Sequence, residues 1–121
     1  MTQNVTIFHN PRCSKSRRTL QLLQERGVRP TIVEYLRDPP SAEEIGNLLG
    51  MLKLSPRELL RTKEAAYADH GLGAPDIDDA ALIEAMHQHP ILIERPIVVA
   101  GDRAAIGRPP ENVLAILPST S

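Results

Sequence analysis

Val5-Thr6-Ile7-Phe8-His9-Asn10-Pro11-Arg12-Cys13-Ser14-Lys15-Ser16-Arg17 carries the chain from a β-favouring run into a helical one. Val5 to Phe8 is short and apolar and reads as a first strand. Leu20, Leu22 and Leu23 begin a helical pattern, predicted from about Ser16 to Arg26, and Gly27 fits the left-handed position beyond its last turn. After Pro30, Thr31-Ile32-Val33-Glu34-Tyr35-Leu36 is a second strand rich in β-branched residues. Strand, helix and strand within about thirty residues make a βαβ unit, with parallel strands and a right-handed crossover.

Beyond this unit the pattern turns helical. Ser41-Ala42-Glu43-Glu44 is a capping box, and Ile45, Leu48, Leu49 and Leu52 follow at i, i+3, i+4 and i+7. Ser55-Pro56-Arg57-Glu58 is a second box, with proline at the first helical position, and opens a short helix through Leu59 and Leu60. Gly71, Gly73 and Pro75 interrupt the chain. Asp78 and Asp79 start a helix over about Ala80 to His89, with Leu82 and Met86 one turn apart. Ile97-Val98-Val99-Ala100, the turn Gly101-Asp102 and the return from Arg103 to Ile106 predict an antiparallel hairpin. A last helix carries Val113, Leu114, Ile116 and Leu117, with Pro118 as its stop. The sum is α/β: a four-stranded mixed sheet, βαβ then ββα, with a helical insertion over about residues 41–89. At 121 residues the chain is expected to be a single domain.

Composition narrows the function classes. Basic and acidic residues number 14 and 15, so no global attraction to nucleic acid or membrane is implied. Phe8, Tyr35 and Tyr67 are the only aromatics, too few for a base-stacking platform. One cysteine cannot form an internal disulfide. No apolar run is long enough to span a bilayer, and Met1-Thr2-Gln3-Asn4 lacks the features of a signal peptide. The expectation is a cytoplasmic protein, with the Ser-Thr-Ser end a frayed tail.

Cys13 stands where strand passes to helix, with Arg12, Lys15, Arg17 and Arg18 around it. A thiolate is the nucleophilic form of cysteine, and a helix N-terminus and nearby cations favour it. The polar, basic flanks argue against the alternative of a small buried hydrophobe. His9 either tunes this thiol or serves a structural role at the strand end. Most arginines, Arg17 included, read as solvated surface groups. Arg61, Arg95 and Arg108 differ, because each sits at an element end where planar, bidentate donors could meet an oxyanion. Pattern alone leaves surface ion pairing as the simpler reading of each. His70, His87 and His89 have no metal-ligand spacing, and no Gly-rich phosphate loop is present. Cys13-Ser14-Lys15-Ser16 occupies the frame of a C-x-x-C redox motif, with serine replacing the second cysteine. A lone thiol cannot resolve its own mixed disulfide, so any redox cycle recruits an outside thiol.

With these residues in place, the sequence resembles the glutaredoxin-dependent arsenate reductase family. The resemblance runs from strand one to about Leu117. It is carried by His9 to Arg17, Tyr35-Leu36 with Pro39-Pro40, and Glu58-Leu59-Leu60-Arg61. His89 to Val99 and Gly107-Arg108-Pro109 complete it. It implies a thioredoxin-like fold with a helical insertion between strands two and three. It also implies Cys13 as nucleophile, Arg61, Arg95 and Arg108 as oxyanion-binding arginines, and a cis peptide before Pro96. His9, Ser16, Arg17 and Pro96 would support them. The implied reaction is reduction of arsenate to arsenite with glutathione as co-substrate and glutaredoxin as partner, without metal or bound cofactor.

Two features set this chain apart from well-studied arsenate reductases. Arg12, Ser14 and Lys15 replace smaller or less charged residues, and the chain is expected to lack their extra C-terminal segment, since the sequence stops shortly after the last predicted helix. Both resemble a short sister branch of the family. The alternative is another role on the same fold, as an Spx-type polymerase-binding regulator or a monothiol transferase. Ser16 removes the C-x-x-C switch of the first, and the second has no need of three oxyanion arginines.

Overall fold

A computed structural model describes residues 5–117. The chain divides into two compact units, one formed by the residues up to Tyr35 and from Arg95 onward, the other by Leu36–Glu94. The predicted helical segment over 41–89 falls inside the second.

The first unit holds the sheet. Its strands are β1 (Val5–Phe8), β2 (Thr31–Val33), β3 (Ile97–Ala100) and β4 (Arg103–Ile106), in the order β2-β1-β3-β4. β1 and β2 are parallel, while β3 is antiparallel to both β1 and β4. Alternation along β1 puts Val5 and Ile7 in the core and leaves Thr6 and Phe8 half-buried. The register sets Val5 opposite Ala100 and Ile7 opposite Val98, so four apolar side chains share one face. Leu23 from α1 (Ser14–Glu25) and Val113 and Ile116 from a C-terminal 3-10 helix (Pro110–Ile116) complete that core. Burying a side chain such as Ile7 or Leu23 contributes about 1.5–3 kcal/mol. This is the mixed sheet of a thioredoxin-like fold, as expected.

The second unit is helical: α2 (Ala42–Leu52), α3 (Pro56–Leu59), α4 (Ala65–Asp69), α5 (Asp79–Gln88) and a 3-10 turn (Pro90–Leu92). Both predicted capping boxes form: Ser41 accepts from Glu44 N–H, Ser55 accepts from Glu58 N–H, and each glutamate accepts from its serine's N–H. Asp78 caps α5 by accepting from Ala81 N–H. α2 and α3 both pack on α5, and Ile45, Leu48, Leu49, Leu59, Leu82 and Met86 are buried.

Four local expectations change. α1 starts at Ser14, not Ser16, because Cys13 takes the extended N-cap position; the Ser16 hydroxyl turns inward to His9. Strand two stops at Val33, and Tyr35 is fully buried in the turn that follows. The last element is a 3-10 helix opened by Pro109 and Pro110, with Asn112 N–H bonded to Pro109 C=O. Leu52 is half-buried rather than on the buried face of α2. The Pro118 stop lies outside the described residues, as do the N-terminal Met1-Thr2-Gln3-Asn4 and the Ser-Thr-Ser end. The helix α4 and the stacked rings of His70 and His89, 4.2 Å between centroids, were not anticipated. No helix among the described residues is long and apolar enough to cross a membrane.

Candidate active site

The strand-to-helix loop is tied by its own polar groups. Cys13 N–H donates to Asn10 C=O at 3.0 Å, and Arg12 N–H donates to Asn10 Oδ1 at 3.0 Å. Asn10 is buried, and its own N–H donates to Ser16 Oγ at 3.0 Å. Ser16 Oγ also meets His9 Nδ1 at 2.6 Å. Burial lowers the His9 pKa, the Glu34 carboxylate opposes that, and the Arg17 charge lowers it further. The lowered pKa favours the neutral ring, in which the His9 Nδ1–Ser16 Oγ contact is a hydrogen bond in either tautomer. Strand end, loop and first helical turn are thereby locked together.

Cys13 is the N-cap of α1, in extended backbone conformation. From there its sulfur meets the first-turn N–H groups of Lys15 and Ser16, which have no partner within the helix. Burial raises the thiol's pKa. Hydrogen bonds from Ser16 N–H, the Arg95 side chain and Lys15 N–H, together with the Arg95 charge, outweigh burial and hold the pKa below its ordinary 9.0. Arg108 adds a donor, with Nη2 at 3.6 Å from Sγ. The chemical consequence is a half-buried thiol whose thiolate form is favoured, with two guanidinium groups beside it.

The two arginines are positioned through each other and through Gly107. Arg108 Nε donates to Arg95 C=O at 2.7 Å. Gly107 N–H donates to Pro96 C=O at 2.9 Å. A Cβ on Gly107 would lie 2.5 Å from Thr19 Oγ1 and 2.8 Å from Pro96 Cγ. Only glycine lets the strand end pass this close to α1 and Pro96. Thr19, fully buried, is held by its hydroxyl to Lys15 C=O at 2.8 Å. The Arg95–Pro96 peptide is cis, as expected, and so is Arg108–Pro109, which was not.

Cys13, Arg95 and Arg108 thus come together in the first unit, with His9, Ser16 and Pro96 in the packing behind them. Arg17, one of the expected supporting residues, is exposed and donates through Nη1 to Pro11 C=O at 3.0 Å. Arg61 lies in the second unit, where Nε pairs with Glu64 at 3.1 Å and Nη1 with Glu94 at 2.7 Å. Asn10, Thr19 and Gly107 were not singled out as site residues. Asn10-Pro11 is a turn signal that marks the first; Thr19 and Gly107 matter only through a contact between distant elements. Among the described residues, no group of three or more His, Cys, Asp or Glu could hold a metal ion.

A thiol biased toward its thiolate can attack an electrophilic oxyanion centre, and two guanidinium groups beside it can bind the oxygens. Known proteins share this chain's pattern. An Escherichia coli K12 protein named only as uncharacterized protein YfgD is 52% identical over 118 residues, covering 97% of this chain and 99% of that one. A Neisseria meningitidis serogroup A protein named arsenate reductase is 48% identical over 114 residues, 93% of this chain and 97% of that one. Among solved structures, an arsenate reductase from Vibrio cholerae superposes with a TM-score of 0.94 at 48% identity, covering 97% of this chain and 100% of that one. The family model described as ArsC family matches residues 8–116. With a match of that extent, the chain belongs to the ArsC family.

Proposed function

We propose that this protein reduces arsenate to arsenite, with Cys13 as nucleophile, glutathione as co-substrate and glutaredoxin as the partner that restores the thiol. The observation that carries the reading is the convergence of Arg95 and Arg108 on Cys13. A reactive thiol alone would serve many chemistries. A thiol beside two guanidinium groups suits an electrophile that is itself an oxyanion.

The Cys13 thiolate attacks arsenic(V). An S–As bond forms as an As–OH bond breaks, and that oxygen leaves as hydroxide, which takes a proton from solvent to become water. Arg95 and Arg108, with Arg61 as the third member of the set by family likeness, bind the remaining oxygens. Glutathione then attacks the Cys13 sulfur. The electron pair of the S–As bond passes to arsenic, which leaves as arsenite with the thiol proton, and a Cys13–glutathione disulfide remains. Glutaredoxin reduces that disulfide by thiol exchange. The lone cysteine fits this division of labour, since no second thiol stands in the motif frame. The reaction needs a compartment rich in reduced glutathione, which is the cytoplasm.

The test is arsenite production by the purified protein with glutathione, glutaredoxin and a reducing supply. Turnover should require Cys13 and disappear in Cys13→Ser. Absence of Cys13-dependent turnover at saturating arsenate would overturn the proposal.

A further inference from the structure

Arg12 and Lys15 flank the nucleophile, and both are exposed. Arg17 is occupied with Pro11 C=O, and Arg18 faces Glu25 at 3.7 Å. Arg12 and Lys15 have no such side-chain partner among the described residues. Their charges are also not what lowers the thiol's pKa. The cation acting there is Arg95, and Lys15 contributes through its backbone N–H. Residues 10–18 hold four cations and no acid in a chain whose net charge is −1. Two exposed cations, one and two positions from the thiol in sequence, are therefore left for something that approaches it.

We infer that Arg12 and Lys15, by their charge and exposure, dock glutathione, an anionic thiol, beside Cys13. This rests on the glutathione-dependent reading above and names the surface that reading requires. After the first step Cys13 carries an anionic arsenic group, and glutathione, with two carboxylates and one ammonium, is also an anion. The two repel. Exposed cations at the rim offset that repulsion and raise the local concentration of the incoming thiol. Arg12 offers a planar fork matched to a carboxylate, and Lys15 a mobile point charge.

The docking step can be measured without arsenate. In the exchange of Cys13 with glutathione disulfide, the Cys13 thiolate bonds one glutathione sulfur, the S–S bond breaks, and the other glutathione leaves as thiolate. Rates are measured by mass spectrometry for wild type and for the double variant Arg12→Gln/Lys15→Gln. Hydroxyethyl disulfide serves as a neutral comparison, and iodoacetamide alkylation reports the intrinsic reactivity of Cys13. In the double variant the glutathione disulfide rate should fall about tenfold at low ionic strength. The hydroxyethyl disulfide and iodoacetamide rates should stay within about twofold of wild type. Raising salt toward 1 M, where the Debye length is about 3 Å, should erase the difference. Equal rates in wild type and variant with glutathione disulfide would overturn the inference. So would an equal fall with both disulfides, which would mean that the two side chains act on the thiol itself. A protein that exchanges as expected but does not reduce arsenate would refute the proposed function and leave the docking surface standing.

Discussion

Arg108 and Cys13 are 95 residues apart in sequence, and Arg108 Nη2 lies 3.6 Å from Cys13 Sγ. Arg108 Nε is also bonded to Arg95 C=O, so one guanidinium joins the thiol to the loop that carries the second arginine. The cluster behaves as a unit, and substitutions within it should be non-additive.

Arg95→Ala should raise the Cys13 pKa, since Arg95 supplies both a hydrogen bond and a charge to the thiolate. The pH profile of iodoacetamide alkylation reads this directly as a shift toward higher pH, with full reactivity retained at alkaline pH. Loss of a charged hydrogen bond, about 1.5–3 kcal/mol, should lower kcat/KM for arsenate by about 10–100-fold. An unchanged profile together with unchanged turnover would show that Arg95 acts on neither sulfur nor substrate.

Thiolate stabilisation also couples folding to pH. The folded-state pKa of Cys13 lies below 9.0, so the unfolded chain holds the proton more tightly between the two values. Wild type should therefore gain stability relative to Cys13→Ser as pH rises from the folded value to about 9, and keep it above. The gain should disappear as pH falls through the folded value. Urea denaturation across that range is the measurement, and a flat difference would contradict the lowered pKa.

Much of this fold was legible locally. The capping boxes at Ser41 and Ser55, the Gly101-Asp102 turn and the alternation in β1 are signals confined to a few neighbouring residues. The start of α1 was placed two residues late, and the inward bonds of Ser16 to His9 and Asn10 carry no local sequence signal. Cys13 takes the N-cap position, a place where serine, threonine, aspartate or asparagine is the usual signal. Their places at element ends marked Arg95 and Arg108 as oxyanion candidates, and the family likeness gave them that role, while pattern alone left surface ion pairing as the simpler reading. Their joint approach to Cys13 depends on β3 pairing with β1 and on Gly107 passing close to Thr19, both long-range facts.

Gly107→Ala should destabilise the protein by about 1–3 kcal/mol, because its methyl group meets Thr19 and the Pro96 ring. Combining it with Thr19→Ala should cost less than the sum of the two, since one collision is removed. Thermal unfolding of the three variants checks this. Strict additivity would mean that the close approach is not what constrains position 107.

Ser55→Ala should cost about 1 kcal/mol by removing the oxygen that accepts Glu58 N–H. Ser55→Asp should restore most of it. The comparison is made by urea denaturation, and an equal loss for both variants would assign the effect to something other than capping.

The division of labour between Cys13 and an outside thiol is tested most directly in a single turnover. Reduced protein is mixed with arsenate in the absence of any other thiol, and glutathione is added afterwards without glutaredoxin. Arsenite should be absent before the addition. After it, arsenite should appear in amounts matching the protein, while intact-mass measurement shows glutathione disulfide-bonded to Cys13. Arsenite released before glutathione is present, or arsenite formed without a glutathione adduct on Cys13, would contradict the account.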